Sequence, residues 1–265
     1  GDLAPVAVKT DKVFSIFQTD GEEDQGIVAL GLADVYLWSA PKTRIDDFFF
    51  RTTALKDDNS AAESALTVAV SGKKMKKTTV EAQLLDGSRV LATQTVPVTA
   101  AGEVELTFPT VTGITAWSAE DPQLYDLTLR LVCEGAAAGG DSGDGAAFQQ
   151  ILLEIVRERI GFRRFEMKDG LMCLNGKRIV FRGVNRHEFT CDSGRTVPAE
   201  ITRRDLILMK RNNINAVRTC HYPSASALYR FCDELGLYLI AENNMESHAS
   251  WAPAEAGLPT PGIVP

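Results

Sequence analysis

The residues best suited to chemistry gather late in the chain. All three histidines, His187, His221 and His248, lie within or just after short apolar, β-branched runs: Ile179-Val-Phe181, Ala216-Val217 and Leu237-Tyr-Leu-Ile240. An imidazole can pass a proton near neutral pH, donate a hydrogen bond or ligate a metal. Asn185, Arg218, Glu242 and Glu246 stand close to them in sequence. Two carboxylates at a strand end can act as acid and nucleophile on a glycosidic bond, but can equally serve to orient His248 or Arg218. Glu246 and His248 at i, i+2 supply two of the three or four ligands a zinc site needs. A metal-dependent hydrolase built from Glu246, His248 and His221 is therefore one reading of the cluster.

The surrounding pattern is strand, helix, strand, helix, strand. Arg178–Arg182 reads as the first strand, with its apolar residues at the centre. Thr202-Arg-Arg-Asp205 reads as a capping box opening a helix whose apolar face is Leu206–Met209. Ala216-Val-Arg218 starts a second strand that stops at His221-Tyr-Pro223. Leu228, Phe231, Cys232 and Leu235 then form a helical stripe ended by Gly236. Leu237–Ile240 is the third strand. Such an order predicts parallel strands whose ends emerge on one side, where (β/α) barrels place their sites. A barrel needs eight strands and three are legible, so the chain reads as part of a longer protein in preference to a small α/β layer.

Upstream, the alternation has period two. Ile45–Thr52, Ala65–Val70, Thr78–Leu84, Val90–Val98, Val104–Phe108, Tyr125–Cys133 and Phe148–Val156 all read as strands. Asp86-Gly87 is a hairpin turn, and Gly135–Ala147 reads as a long, flexible hairpin loop. This spacing predicts an immunoglobulin-like β-sandwich. Trp117 and Tyr125 offer a sugar-stacking platform if exposed, which would make the region a carbohydrate-binding or interaction module; the simpler expectation is that both pack inside. The cluster Lys73–Lys77 reads as a solvated turn. Between the two regions, Asp169-Gly170 and Asn175-Gly176 predict tight hairpin turns.

The chain has 265 residues, a formal net charge of −7 and scattered basic residues, so neither nucleic acid nor an anionic membrane is an expected partner. No apolar run approaches a membrane span. Five cysteines without C-x-x-C spacing predict reduced thiols and a cytoplasmic protein.

Several stretches carry a resemblance. Gly161-Phe-Arg163, Leu174-Asn-Gly-Lys177 and Arg182-Gly-Val-Asn-Arg-His-Glu188 resemble the entry to the catalytic barrel of glycoside hydrolase family two. Asn215-Ala-Val-Arg218 with His221-Tyr-Pro223 is similar to that family's second strand, and Asp233-Glu-Leu-Gly-Leu-Tyr238 with Asn244-Met-Glu-Ser-His248 to its third. Asp34-Val-Tyr-Leu37, Trp117-Ser118 and Leu124-Tyr-Asp-Leu127 resemble its sandwich domain. The Asn-Arg-His-Glu and Glu-x-His forms look more like the large β-galactosidases than the β-glucuronidases or β-mannosidases, which remain the alternative.

The resemblance implies a fold of multidomain β and α/β type. Residues 1–38 would be a remnant of an N-terminal jelly-roll sugar-binding domain, 39–161 the immunoglobulin-like sandwich, and 162–265 the first βα units of a truncated TIM (β/α)8 barrel. It implies a retaining β-galactosidase acting on a β-galactoside such as lactose, with a homo-oligomeric parent enzyme. Both catalytic glutamates would lie beyond this chain, leaving it inactive without the remaining parts of the parent enzyme. His221 and His248 would bind sugar hydroxyls; Asn185, His187, Arg218 and Glu246 would support them. No metal is expected in this chain, while the parent would hold Mg2+ and also Na+. Glu23-Asp-Gln25 resembles an acidic site loop, but Gly26 stands where the family has an aspartate.

Overall fold

A computed structural model describes residues 7–10, 35–38, 41–72, 77–136 and 148–243. The remnant expected at 1–38 is described only as two strands, β1 (Ala7–Thr10) and β2 (Val35–Trp38). The acidic stretch Glu23–Gln25, most of the lysine cluster, the loop interior at 137–147, Glu246 and His248 lie outside the described residues. The chain divides into two compact units that part between Val180 and Phe181.

The first unit is antiparallel. β3 (Arg44–Leu55), β4 (Ala61–Ser71) and β7 (Gly102–Thr112) form one sheet, in the order β3-β4-β7. β5 (Thr78–Asp86), β6 (Arg89–Val98), β8 (Tyr125–Ala136) and β9 (Phe148–Ile160) form another, in the order β6-β5-β8-β9. All seven strands expected from alternation are present, each extended by a few residues. The alternation works as it should: Leu66, Val68 and Val70 of β4 share one core with Val80, Ala82 and Leu84 of β5 and Leu127, Leu129 and Leu131 of β8. Each fully buried Leu is worth about 1.5–3 kcal/mol relative to exposure. Of the triple Phe in β3, Phe48 and Phe50 pack against the core while Phe49 is 64% exposed. Phe162 sits at the base of an aromatic cluster, 5.8 Å from Phe50 and 5.2 Å from Tyr125 between ring centroids. Trp117 and Tyr125 are both buried, and the Tyr125 hydroxyl accepts the Thr115 N–H at 2.7 Å. The pair is therefore no sugar platform: its apolar rings take part in packing.

A small sheet of β10 (Phe165–Lys168), β11 (Leu171–Leu174) and β12 (Lys177–Arg178) follows. Its two turns hold Asp169 and Gly170 at φ 52° and 75°, and Asn175 and Gly176 at φ 52° and 79°. Two successive positive φ values are what a two-residue hairpin requires, and Asx-Gly supplies them at low cost. The turn is tied down by Asn175, whose side chain accepts the Arg164 N–H and donates to the Trp117 carbonyl.

The second unit is parallel: β13 (Gly183–Arg186), β14 (Ala216–Thr219) and β15 (Tyr238–Ile240), in sequential order. The crossovers carry α1 (Ala199–Arg211) and α2 (Ser226–Leu235). The first strand corrects the sequence expectation. The apolar stretch 179–181 lies outside it, with Val180 57% exposed, and the ladder is made by Gly-Val-Asn-Arg instead. Gly183 permits this, because a Cβ there would stand 3.1 Å from the Ala216 Cβ and 3.2 Å from its carbonyl oxygen. Leu206, Val217, Leu228, Cys232 and Leu237 form the apolar seam between sheet and helices. By register, Asn185, Arg218 and Ile240 share the opposite face of the sheet. α2 ends as expected at Gly236, φ 72°, where the Leu237 N–H reaches the Cys232 carbonyl. Among the described residues no helix is long and apolar enough to cross a membrane, and none of the five cysteines forms a disulfide.

Candidate functional site

Parallel pairing brings the C-terminal ends of β13, β14 and β15 to one edge of the sheet, and each end contributes polar residues. After β14, the His221 Nδ1 lies 2.9 Å from Oε2 of Glu242, which follows β15. Arg218 makes an ion pair with the other oxygen of Glu242, and its Nη2 lies 3.1 Å from the same imidazole nitrogen. The Glu242 backbone N–H is in turn held by the buried Thr219 hydroxyl at 2.8 Å. A carboxylate on Nδ1 fixes the orientation of the ring. Glu242 thus holds Arg218 and His221 in place; of the two residues it was expected to orient, Arg218 is held here and His248 lies outside the described residues.

After β13, His187 is exposed and its ring meets that of His221 edge to face, 5.6 Å between centroids. Asn185 is exposed and pairs in register with Arg218. Arg186 and Glu188, which alternate with these, are buried. Glu188, 1% exposed, accepts the Ala225 N–H at 3.0 Å, so its carboxylate stands at the amino end of α2, where the helix dipole favours negative charge. The Tyr222 hydroxyl accepts the Glu188 N–H at 3.1 Å. Burial pushes the Tyr222 phenol up, against the opposing pull of Arg195, whose guanidinium lies 4.9 Å over the ring.

Arg186 corrects the second sequence expectation. Helix α1 begins at Ala199 with Pro198 as its N-cap, and Pro198 makes no side-chain cap bond. Thr202 and Asp205 lie inside the helix: both receive hydrogen bonds from Arg186, at 3.2 Å to Thr202 and 3.0–3.1 Å to Asp205. A buried guanidinium needs several acceptors; these two residues supply them to Nε and Nη2 across the sheet–helix boundary, while Nη1 lies 3.9 Å from the Glu188 carboxylate. Of the predicted site residues, the structure therefore gathers His221, Arg218, His187 and Asn185 at one edge. What sequence reading missed is Glu188, whose partner is 37 residues away. The Cys220 Sγ also belongs to this edge, within 4.8 Å of ligand atoms of His187 and His221.

Models of glycosyl hydrolases family 2 match this chain twice, at residues 43–138 and, as that family's TIM barrel domain, at 165–259. The chain belongs to glycosyl hydrolase family 2. A β-galactosidase of Clostridium acetobutylicum is 40% identical over 237 residues, covering 88% of this chain and 24% of the relative. A β-galactosidase large subunit of Latilactobacillus sakei is 34% identical over 218 residues, covering 82% of this chain and 32% of that one. Among solved structures, a Bifidobacterium dentium β-glucuronidase complexed with coumarin-3-O-glucuronide superposes with a TM-score of 0.65 at 25% identity, over 79% of this chain and 32% of its own. The family chain described here thus spans about a quarter to a third of the length of such relatives.

Proposed function

We propose that this chain is the sandwich and opening barrel portion of a retaining β-galactosidase, contributing sugar-binding groups and not the catalytic carboxylates. The domain reading of 1–38 as jelly-roll remnant, 39–161 as immunoglobulin-like sandwich and 162–265 as opening (β/α)8 units belongs to the same proposal. The observation that carries it is His221, held at a strand end by Glu242 and Arg218. With Nδ1–H on Glu242, the neutral imidazole accepts from a sugar hydroxyl at Nε2 and, once protonated, donates there, with no reorganisation at the moment of reaction. His248 takes the same role in this reading, with Glu246 supporting it. Galactose is preferred over glucuronic acid because the relatives named β-galactosidase match at higher identity than the β-glucuronidase structure. The partners are a β-galactoside such as lactose and the rest of a cytoplasmic, oligomeric parent enzyme.

Mg2+ and Na+ belong to this proposal as ions of the parent. They are hard cations that take oxygen ligands. The described cluster of His187, Cys220 and His221 offers nitrogen and sulfur and does not fit them.

The test is hydrolysis of nitrophenyl β-galactoside and β-glucuronide by this chain, alone and mixed with a separately produced remainder of a family barrel. No turnover alone, with β-galactoside hydrolysis on mixing, is expected. In the mixture, His221→Ala is expected to lower kcat by roughly a hundredfold, the scale of one lost transition-state donor. Turnover by the chain alone, or preference for the glucuronide, overturns the reading.

A further inference from the structure

We propose that His187, Cys220 and His221 form a binding site for Zn2+. The observation is a convergence of donors from two strand ends: one ring nitrogen of each histidine and the cysteine sulfur, all within 4.8 Å of one another. Zn–N bonds of about 2.0–2.1 Å and Zn–S of about 2.3 Å set tetrahedral donors roughly 3.3–3.6 Å apart. Small side-chain rotations close that gap, and His187, exposed on the segment after β13, is placed to make them.

Three further features favour this ion. First, one thiolate with two imidazoles is a borderline-soft set that selects zinc over magnesium or calcium. Second, the His221 Nδ1 already contacts the Glu242 carboxylate at 2.9 Å. That is how metal-binding histidines are commonly fixed in tautomer and orientation, and it assigns Nε2 to the ion. The positive charge of Arg218 on the same side is offset by its ion pair with Glu242. Third, the Cys220 thiol is fixed in place: it is fully buried and donates to the Arg218 carbonyl oxygen at 3.6 Å, a bond that ends when the metal takes the sulfur. On binding, the Cys220 thiol releases its proton to solvent and its sulfur bonds the metal, with water in the fourth position. The site stands on this geometry alone; it takes the same His221 nitrogen that the proposed function gives to a sugar hydroxyl, so Zn2+ and sugar are alternative occupants of it.

The probe is Co2+ titrated into this chain, followed by Zn2+ competition against a chromogenic chelator. Expected are one ion per chain, a near-ultraviolet thiolate-to-cobalt charge-transfer band, and visible bands of tetrahedral intensity that Zn2+ abolishes. Cys220→Ser is expected to remove the charge-transfer band. His187→Ala changes an exposed residue and leaves the core intact; it is expected to weaken Zn2+ binding at least tenfold. Cys191→Ser, at an exposed thiol away from the cluster, is expected to retain the band. Absence of the band in the unaltered chain, its loss with Cys191, or unchanged Zn2+ affinity in His187→Ala overturns the site.

Discussion

The two units bury their sheets with different interiors. In the antiparallel unit the shared core is almost wholly apolar among the described residues, with Ser64 and Thr78 as its buried polar members. In the parallel unit a seam of five buried apolar side chains lies beside buried Arg186, Glu188, Thr202, Thr219 and Ser224. Apolar burial stabilises in proportion to area, while each buried polar group must find a partner before it costs nothing. The antiparallel unit is therefore organised for stability. The parallel unit gives up part of that stability for a polar frame that holds His221, Glu242 and the α2 terminus in set positions.

The widest separation between the units is expected from Phe162→Ala. It empties the centre of the aromatic cluster beside Phe50 and Tyr125, and about 3–5 kcal/mol should be lost. Hydrogen exchange should show that loss on β5 and β8, with much smaller change on β14. Equal loosening of both would mean that the cores are one cooperative body. Next comes Glu188→Ala, which strips the amino end of α2 of its acceptor and should cost about 1–3 kcal/mol in urea unfolding, with faster exchange at Ala225 and the first turn of α2. A neutral result would make the polar frame incidental.

The smallest effect near neutral pH concerns Cys232. Its burial in the seam, followed by the charge of Asp233, pushes the thiol up from 9.0 to about 12. The unfolded thiol ionises first as pH rises, so the folded state keeps a proton that the unfolded state has lost. Stability is full below pH 9.0 and falls by about 1.4 kcal/mol per pH unit from there towards 12. Unfolding midpoints measured up to pH 10.5 should fall less steeply in Cys232→Ala; an identical slope would remove the thiol as the cause.

Much of the fold was legible in the chain because local and global preferences agree there. Leu127, Leu129 and Leu131 alternate, and the structure buries all three. Asn175-Gly176 asks for a tight turn and makes one. The stripe Leu228–Leu235 and its Gly236 stop are read correctly for the same reason. The first parallel strand was misplaced because Gly-Val-Asn-Arg has one apolar residue and ladders through close backbone approach to Ala216, which periodicity does not register. Thr202 and Asp205 have the spacing of a cap, but a guanidinium sixteen and nineteen residues away claims them. At the site, residue types and strand ends pointed to His221 and Arg218. The links from Glu188 to α2 and from Cys220 to His187 are contacts made by folding, so no window of sequence contains them.

Gly183 also sets how the parallel unit tolerates change. A Cβ there would press on Ala216. Ala216 or the strand would have to give by a few tenths of an ångström, at the start of the run that carries Asn185, Arg186, His187 and Glu188. A variant library should therefore find position 183 as intolerant as the histidines themselves, although the residue has no chemical group to lose. The polar strand-end edge inherits its mutational fragility from a glycine four residues upstream of His187.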